Sequence, residues 1–173
     1  MITLRSLFSR TSMTQELQRD AHSLGVTRGE HIMATGKGPE AYQPPAVIAT
    51  DHALYFATAT EPARLPWISI ARASWEDPWL VLHTVTGEKI TLHLAPAGEL
   101  PPVVRDRVTA SVLIRERVAL DSGGTVVCVG RREPGSDTVT WLLEFDADTD
   151  SSSPEIRASA DRALSELRAT LGV

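Results

Sequence analysis

Two short apolar runs, separated by two turn-forming residues, constrain the fold of this chain more than any other feature. In AVIATDHALYFATATEPARLPWISI, residues 46–70, the runs Ala46–Thr50 and Ala53–Thr58 flank the dipeptide Asp51-His52. Apolar runs of this length around a two-residue turn predict a β-hairpin. A third run, Leu65–Ile70, is predicted to be a strand that begins at a proline, where a missing N–H costs least.

The patterns on either side of this hairpin predict a mainly β fold with helices. The spacing of apolar residues predicts a helix over residues 13–24 and strands over residues 26–95. A further helix followed by a three-stranded meander is predicted over residues 102–146. This content of strands favours a β-barrel with added helices.

The last helix is predicted over residues 154–171. Ser153 suits the N-cap, Pro154 suits the first helical position, and Gly172 suits the end of a helix. Because its apolar stripe needs a surface to cover, we expect this amphipathic helix to pack on the barrel. The chain is then a single domain of residues 13–173, preceded by a flexible N-terminal segment of residues 1–12.

The balance of charges argues against nucleic acid as a partner. The 173 residues carry a net charge of −5, and Lys37 and Lys89 are the only lysines, whereas phosphate binding needs a basic surface. The same charge makes association with anionic membranes unfavourable. Met1–Arg10 lacks the apolar stretch of a secretory signal, and the lone Cys128 excludes a disulfide framework. We therefore expect a cytoplasmic protein.

Candidate metal and catalytic patterns have simpler structural explanations. A two-residue Gly87-Glu88 turn would pair His83 with Leu92 and direct His83 and His93 to opposite faces of a hairpin. The segment DADTDSSS, residues 146–153, lacks the glycine and the glutamate that a calcium loop requires. No nucleophile can be matched to Asp51-His52, and aspartate simply favours a tight turn. We expect no metal, no cofactor and no enzyme activity.

Aromatic residues in loops are candidates for binding a protein partner. Trp75 and Trp79 lie in SWEDPW, which predicts a turn, and Tyr42 lies in the loop KGPEAYQPP. An aromatic side chain at a turn is either exposed for recognition or plugs the end of a barrel. Trp67 is predicted to lie in a strand and in the core.

Two arginines on the meander are further candidates. Pairing Leu120 with Thr125 would place Arg115 and Arg117 on the face that carries the meander's apolar residues. Their apolar stems would pack at the rim of that face while the guanidinium groups stay in water, either paired with local acids or available to an acidic partner.

Three motifs in the first half of the chain resemble the GRAM and bacterial pleckstrin-homology-like (PH-like) domain family. They are Glu30-His31-Ile32-Met33-Ala34, Ala49-Thr50-Asp51-His52-Ala53-Leu54-Tyr55 and Leu65-Pro66-Trp67-Ile68-Ser69-Ile70. They are similar to that family's E-x-h-h strand, T-D-x-x-L-Y hairpin and h-P-W/h-x-x-I strand, where h is an apolar residue. The likeness covers residues 26–95, and the whole chain resembles actinobacterial proteins of this type. The resemblance implies a PH-like barrel.

Together these features predict a non-enzymatic PH-like module that binds a protein partner. Two alternatives stay open. One is a small-ligand-binding protein or enzyme that uses the mouth of the barrel. The other is a peripheral membrane module that uses the N-terminal segment, where Arg5 and Arg10 accompany several apolar residues. The sequence does not indicate an oligomeric state.

Overall fold

Ten strands and three α-helices make up the part of the chain that the computed structural model describes, residues 15–146 and 148–172. The predicted flexible segment and the first residues of the predicted helix 13–24 lie outside the described residues. The contacts divide the chain into two compact units, Met1–Val108 and Thr109–Val173. A mainly β fold with helices is confirmed, and the assignment to a single domain stays a prediction.

The first unit contains a helix, two antiparallel sheets and most of a second helix. Helix α1 covers residues 15–23. The strands are β1 (Ile32–Lys37), β2 (Ala46–Thr50), β3 (Ala53–Ala57), β4 (Pro62–Pro66), β5 (Ile70–Glu76), β6 (Trp79–Thr84) and β7 (Lys89–His93), and helix α2 is Leu100–Ser111. The two sheets have the strand orders β1-β2-β3-β4 and β5-β6-β7.

The four-stranded sheet is covered on both faces at its centre. Every residue of β3 is buried. Leu54 and Phe56 face one apolar cluster, whereas Ala53 and Tyr55 face a second cluster, to which α1 contributes. A strand that is buried on both faces reads as a continuous apolar run, which is the pattern of ALYFA.

The three-stranded sheet and α2 complete the main core of the first unit. Since α2 places an apolar residue at every fourth position, one side of the helix enters the core. The buried residues from these elements are Ile70, Leu80, Leu82, Leu92, Leu100, Val104 and Val108.

The described sheets do not close into the predicted β-barrel. The two sheets of the first unit are separate hydrogen-bonded ladders. They meet at one corner, where the N–H of Lys37 donates to the carbonyl of Pro96 at 2.9 Å and the N–H of Ala95 donates to that of Lys37 at 2.8 Å. Two hydrogen bonds at a corner do not continue the ladder around the structure.

The third apolar run is not a single strand. Pro66 ends β4, Trp67–Ser69 forms one turn of 3-10 helix, and Ile70 begins β5. The core position predicted for Trp67 is confirmed, because its side chain is buried and its indole N–H donates to the carbonyl of Thr50 at 3.1 Å. The run was predicted as a strand because apolar periodicity over six residues cannot distinguish a strand from a turn that buries its side chains.

The register predicted for the β6–β7 hairpin is wrong by three residues. His83 pairs with Lys89, and Trp79 pairs with His93. A four-residue loop after Thr84 replaces the two-residue turn. Because an odd slip exchanges the faces of a strand, His83 and His93 lie on the same face. They are four residues apart along the strands, about 13 Å, which is too far for one metal ion.

The second unit is the meander and the last helix. Strands β8 (Val112–Ala119), β9 (Thr125–Arg132) and β10 (Val139–Phe145) form one antiparallel sheet, and α3 is Pro154–Leu171. The predicted cap residues of α3 are confirmed, with Ser153 before it and Gly172 at a positive φ after it. Its apolar stripe does not cover a barrel. It packs on the meander, whose face carries Val126, Cys128, Trp141, Leu143 and Phe145.

The predicted face of the two arginines is also wrong. Ala119, and not Leu120, pairs with Thr125, so Arg115 lies opposite Val129 and Arg117 opposite Val127. The slip of one residue moves both arginines to the face that α3 does not cover. Strand β9 pairs with β10 with Arg132 opposite Val139 and Val126 opposite Phe145.

None of the helices among the described residues combines the length and the apolarity needed to cross a membrane.

Candidate functional site

The turn between β2 and β3 brings together polar side chains that are distant in the sequence. Thr50 shapes this turn, because its hydroxyl oxygen accepts hydrogen bonds from the N–H groups of His52 at 3.2 Å and Ala53 at 3.0 Å. The same hydroxyl donates to Oε2 of Glu30 at 2.5 Å. Glu30 therefore lies against the turn, just before β1 begins. We call Glu30, His31, Asp51 and His52 the hairpin cluster.

Asp51 is the centre of the hairpin cluster. Its Oδ1 accepts from the backbone N–H of His31 at 2.9 Å and from Nδ1 of His52 at 2.9 Å, while its Oδ2 lies 3.1 Å from Nδ1 of His31. Partial burial favours the neutral acid, but the hydrogen bonds from His52 and His31 outweigh it. They hold the pKa of Asp51 well below its usual range, so the carboxylate stays ionised.

Glu30 belongs to a second, more buried network. The side chain of Glu30 is 6% exposed, and its carboxylate lies 3.1 Å from Nη2 of Arg64 and accepts a hydrogen bond from the hydroxyl of Tyr55 at 3.0 Å. The Tyr55 oxygen in turn accepts from Nε of Arg64 at 2.9 Å. Desolvation raises the pKa of Glu30. The hydrogen bonds from Thr50, Arg64 and Tyr55 lower it by more, so the pKa of Glu30 is below its ordinary value. The buried charge is compensated, as stability requires.

The hairpin cluster has ligand atoms for a metal ion. One ligand atom each from Glu30, Asp51 and His52 lies within 4.8 Å of the other two. Among the described residues, this is the one group of three possible metal ligands that lie so close together. Sequence reasoning missed it because Glu30 and Asp51 are far apart in the chain. The repeated pair of an acid followed by histidine, at residues 30–31 and 51–52, was the available signal.

The two candidate tryptophans lie in strands at the end of one sheet and point to opposite faces. Trp75 is in β5 opposite Leu80, and Trp79 begins β6 opposite Glu76. SWEDPW is thus two strand ends around a two-residue turn, and not one long turn. Trp79 is 45% exposed and its indole contacts the His93 ring edge-on at 4.9 Å between centroids.

Trp75 is partly buried against the main core and also lines a groove. The groove has a volume of about 370 Å³ and lies between β5 and the first turns of α2. We call it the β5–α2 groove. Its lining is Ala73, Ser74, Trp75, Leu80, Pro101, Pro102 and Arg105.

Tyr42, Arg115 and Arg117 are not among the described residues that line the groove. Tyr42 packs, partly buried, against the second apolar cluster under α1. Arg115 forms an ion pair with Glu144 at 2.7 Å, and Arg117 forms one with Asp146. The two arginines are therefore paired with acids from β10 and from the residue after it, although on the face opposite to the one predicted.

A larger cavity, about 590 Å³, lies between α1 and the ends of β1 and β2. Its ionisable lining residues are Glu16, Asp20 and Lys37. Burial and the neighbouring Glu16 raise the pKa of Asp20. The Lys37 ammonium is already paired with Glu40 at 2.8 Å.

Comparisons of this chain with family models, curated proteins and solved structures find no match.

Proposed function

We propose that this protein is a non-enzymatic PH-like binding module that captures an extended segment of a protein partner in the β5–α2 groove. Its resemblance to PH-like domains, over residues 26–95, coincides with β1–β7 and therefore with both sheets of the first unit. The apolar side of α2 lies in the main core of the same unit, which supports a module of two sheets and one helix.

The observation that carries this proposal is an apolar groove beside a strand edge. Strand β5 is the first strand of its sheet, and over Ala73–Trp75 its ladder partner among the described strands is β6. An exposed edge offers main-chain N–H and C=O groups to an added strand, and adjacent pockets select its side chains. Here the side chains of Trp75 and Leu80 form part of the apolar lining of such a pocket.

The opposite wall of the groove favours apolar contact. Pro101 and Pro102 have no backbone N–H to leave unsatisfied when a partner covers them. Arg105 is the ionisable residue among the described lining residues; its side chain is 75% exposed and lies 3.9 Å from the carboxylate of Asp106. A lining with one cation and no carboxylate or imidazole suits binding better than acid–base catalysis. The segment we expect is extended and apolar, with an acidic residue placed near Arg105.

A displayed library of random peptides, selected against the purified full chain, tests this function. We expect apolar sequences with one acidic position. Hydrogen exchange at the amides of Ala73 and Trp75 should slow when a selected peptide is bound, because these alternate N–H groups point away from β6 and an added strand would protect them. Pro102→Glu should weaken that binding about tenfold, since it places a charge on the apolar wall.

The matched control is Thr91→Glu, which adds the same charge at an exposed position on the outer face of the same sheet. It should leave the affinity unchanged. A library that yields no ligand would contradict the proposal. So would ligands that respond to Thr91→Glu and not to Pro102→Glu, because these would occupy the face that carries Trp79.

A small-molecule function is the second candidate, and the cavity beside α1 favours it. Its volume is sufficient for a small ligand, and its lining combines Leu17 and Ile48 with Lys37 and two acids. Native mass spectrometry of protein purified without denaturation should show a stoichiometric added mass if this cavity holds a ligand. The mass of the bare chain alone would count against this candidate and leave the peptide proposal unaffected.

A further inference from the structure

We propose that the hairpin cluster binds one divalent transition-metal ion of the zinc class. Glu30, Asp51 and His52 supply three ligands and His31 supplies a fourth. None of these residues lines the β5–α2 groove, so this inference stands independently of the proposed function. It also revises the expectation from sequence, which had considered His83 and His93 and had excluded a metal.

The spacing of the ligand atoms suits such an ion. Zinc bonds of about 2.0–2.2 Å to nitrogen and oxygen separate two ligands of a tetrahedral ion by about 3.4 Å. The atoms of Glu30, Asp51 and His52 lie within 4.8 Å of one another. Nδ1 of His31 is already 3.1 Å from Oδ2 of Asp51. The group within 4.8 Å consists of Glu30, Asp51 and His52, and the exposed side chain of His31 is the one that must rotate to complete the site.

The present hydrogen bonds leave capacity for the ion. An ionised carboxylate accepts at about four positions. Glu30 uses three of these, for Thr50, Tyr55 and Arg64. A metal ion would replace the two contacts from the imidazole rings to Asp51, while the bond from the backbone N–H of His31 would stay and orient the carboxylate.

Charge and access favour the same conclusion. The carboxylates of Glu30 and Asp51 bring two negative charges, and the guanidinium of Arg64 compensates one. The side chain of His31 is 86% exposed and that of His52 is 36% exposed, so an ion can enter from solvent. Two imidazoles with two carboxylates favour zinc or cobalt over calcium or magnesium, which prefer oxygen ligands alone.

Titration of chelator-treated, tag-free full chain with Zn²⁺ and Co²⁺ tests the proposal. We expect calorimetry to give one bound zinc ion per chain and cobalt to give the absorption bands of a tetrahedral site. Zinc should also raise the melting temperature, because the ion binds the folded chain. His52→Ala and His31→Ala should each weaken binding about tenfold or more, since each removes a ligand.

His83→Ala and His93→Ala are the matched controls, because these histidines lie on another sheet of the same unit. Neither should change the affinity. Absence of a saturable one-to-one phase in the unaltered chain would overturn the proposal. Binding that survives both cluster variants would overturn it as well. If His52→Ala does not fold, His31→Ala decides the matter, because its side chain is almost fully exposed.

Discussion

At the scale of single residues, the turn between β2 and β3 is held by side chains rather than by the backbone alone. The Thr50 hydroxyl bonds two backbone N–H groups of the turn and the carboxylate of Glu30. Tyr55 bonds both Glu30 and Arg64 from a fully buried position in β3. Since Glu30 and Asp51 are held ionised, the folded chain resists protonation there more than the unfolded chain does.

We expect acid to destabilise the protein through these two carboxylates. Their pKa values in the folded chain are below the ordinary 4.5 for Glu30 and 3.8 for Asp51, so the unfolded chain binds protons at higher pH. Stabilisation is therefore complete above the ordinary values and is lost as pH falls below them. Glu30→Gln should lower the free energy of unfolding by about 1–3 kcal/mol at pH 7 and by progressively less in acid.

Urea unfolding at a series of pH values measures this prediction. Glu133→Gln, at an exposed position in the second unit, is the control and should parallel the unaltered protein at every pH. Curves for Glu30→Gln and the unaltered protein that stay parallel from neutral to acid would contradict the role given to Glu30.

At the scale of elements, the registers of two hairpins decided the faces of their side chains. A loop of four residues instead of two turned His83 and His93 to one face, and a slip of one residue turned Arg115 and Arg117 away from α3. The alternation of strand side chains makes every odd slip exchange the faces. Strand positions can therefore be predicted well while the residues that share a surface are predicted wrongly.

The turn between β8 and β9 offers a matched pair of glycines. Gly123 and Gly124 both have a positive φ, and a side chain at Gly123 would meet open space. A Cβ at Gly124 would lie 2.6 Å from Oγ1 of Thr149. That hydroxyl accepts from the N–H of Thr125 at 3.2 Å and holds the segment before α3.

We expect Gly124→Ala to destabilise the protein more than Gly123→Ala. The positive φ should cost each variant about 1–2 kcal/mol. Displacement of Thr149 should cost Gly124→Ala about 1 kcal/mol more, the net value of a hydrogen bond. Free energies of unfolding in urea measure the difference. Equal losses would show that the contact with Thr149 contributes nothing.

At the scale of the whole molecule, each of the two units has its own apolar core and its own covering helix. In the first unit α2 enters the main core, and in the second α3 packs on the meander. The last helix was correctly predicted to be amphipathic, but it packs on the meander β8–β10 and not on the strands of residues 26–95. The net charge of the chain, −5, is also a property of the whole molecule and opposes binding to anionic membranes.

We expect the chain from Met13 onward not to bind anionic vesicles at physiological salt. Its net charge is negative, and a lipid site would need several converging cations, each worth about 1 kcal/mol near the surface. Co-sedimentation with vesicles that contain phosphatidylserine measures this, with neutral vesicles as control. Binding that requires anionic lipid would contradict the prediction. Binding by the full chain alone would assign it to residues 1–12.

The sequence by itself determined which segments are strands and helices, wherever the pattern is local. The β2–β3 hairpin, the meander strands and the capped α3 follow from apolar periodicity and from Asp, Pro and Gly at turns and helix ends. The sequence did not indicate β4, because Pro62–Pro66 contains two prolines and only half-buried or exposed residues at the edge of a sheet. It did not indicate β5 either, because buried and exposed residues do not alternate regularly along that strand.

Only the tertiary structure decided which surfaces and side chains come together. The hairpin cluster joins residues 30–31 to residues 51–52, and the β5–α2 groove joins a strand to a helix more than twenty residues later. Such juxtapositions depend on register and on the docking of elements, which are set by the packing of whole side chains in the core. Local sequence propensity does not determine which residues meet in space, since neither a turn nor a helix cap specifies the element that packs opposite it.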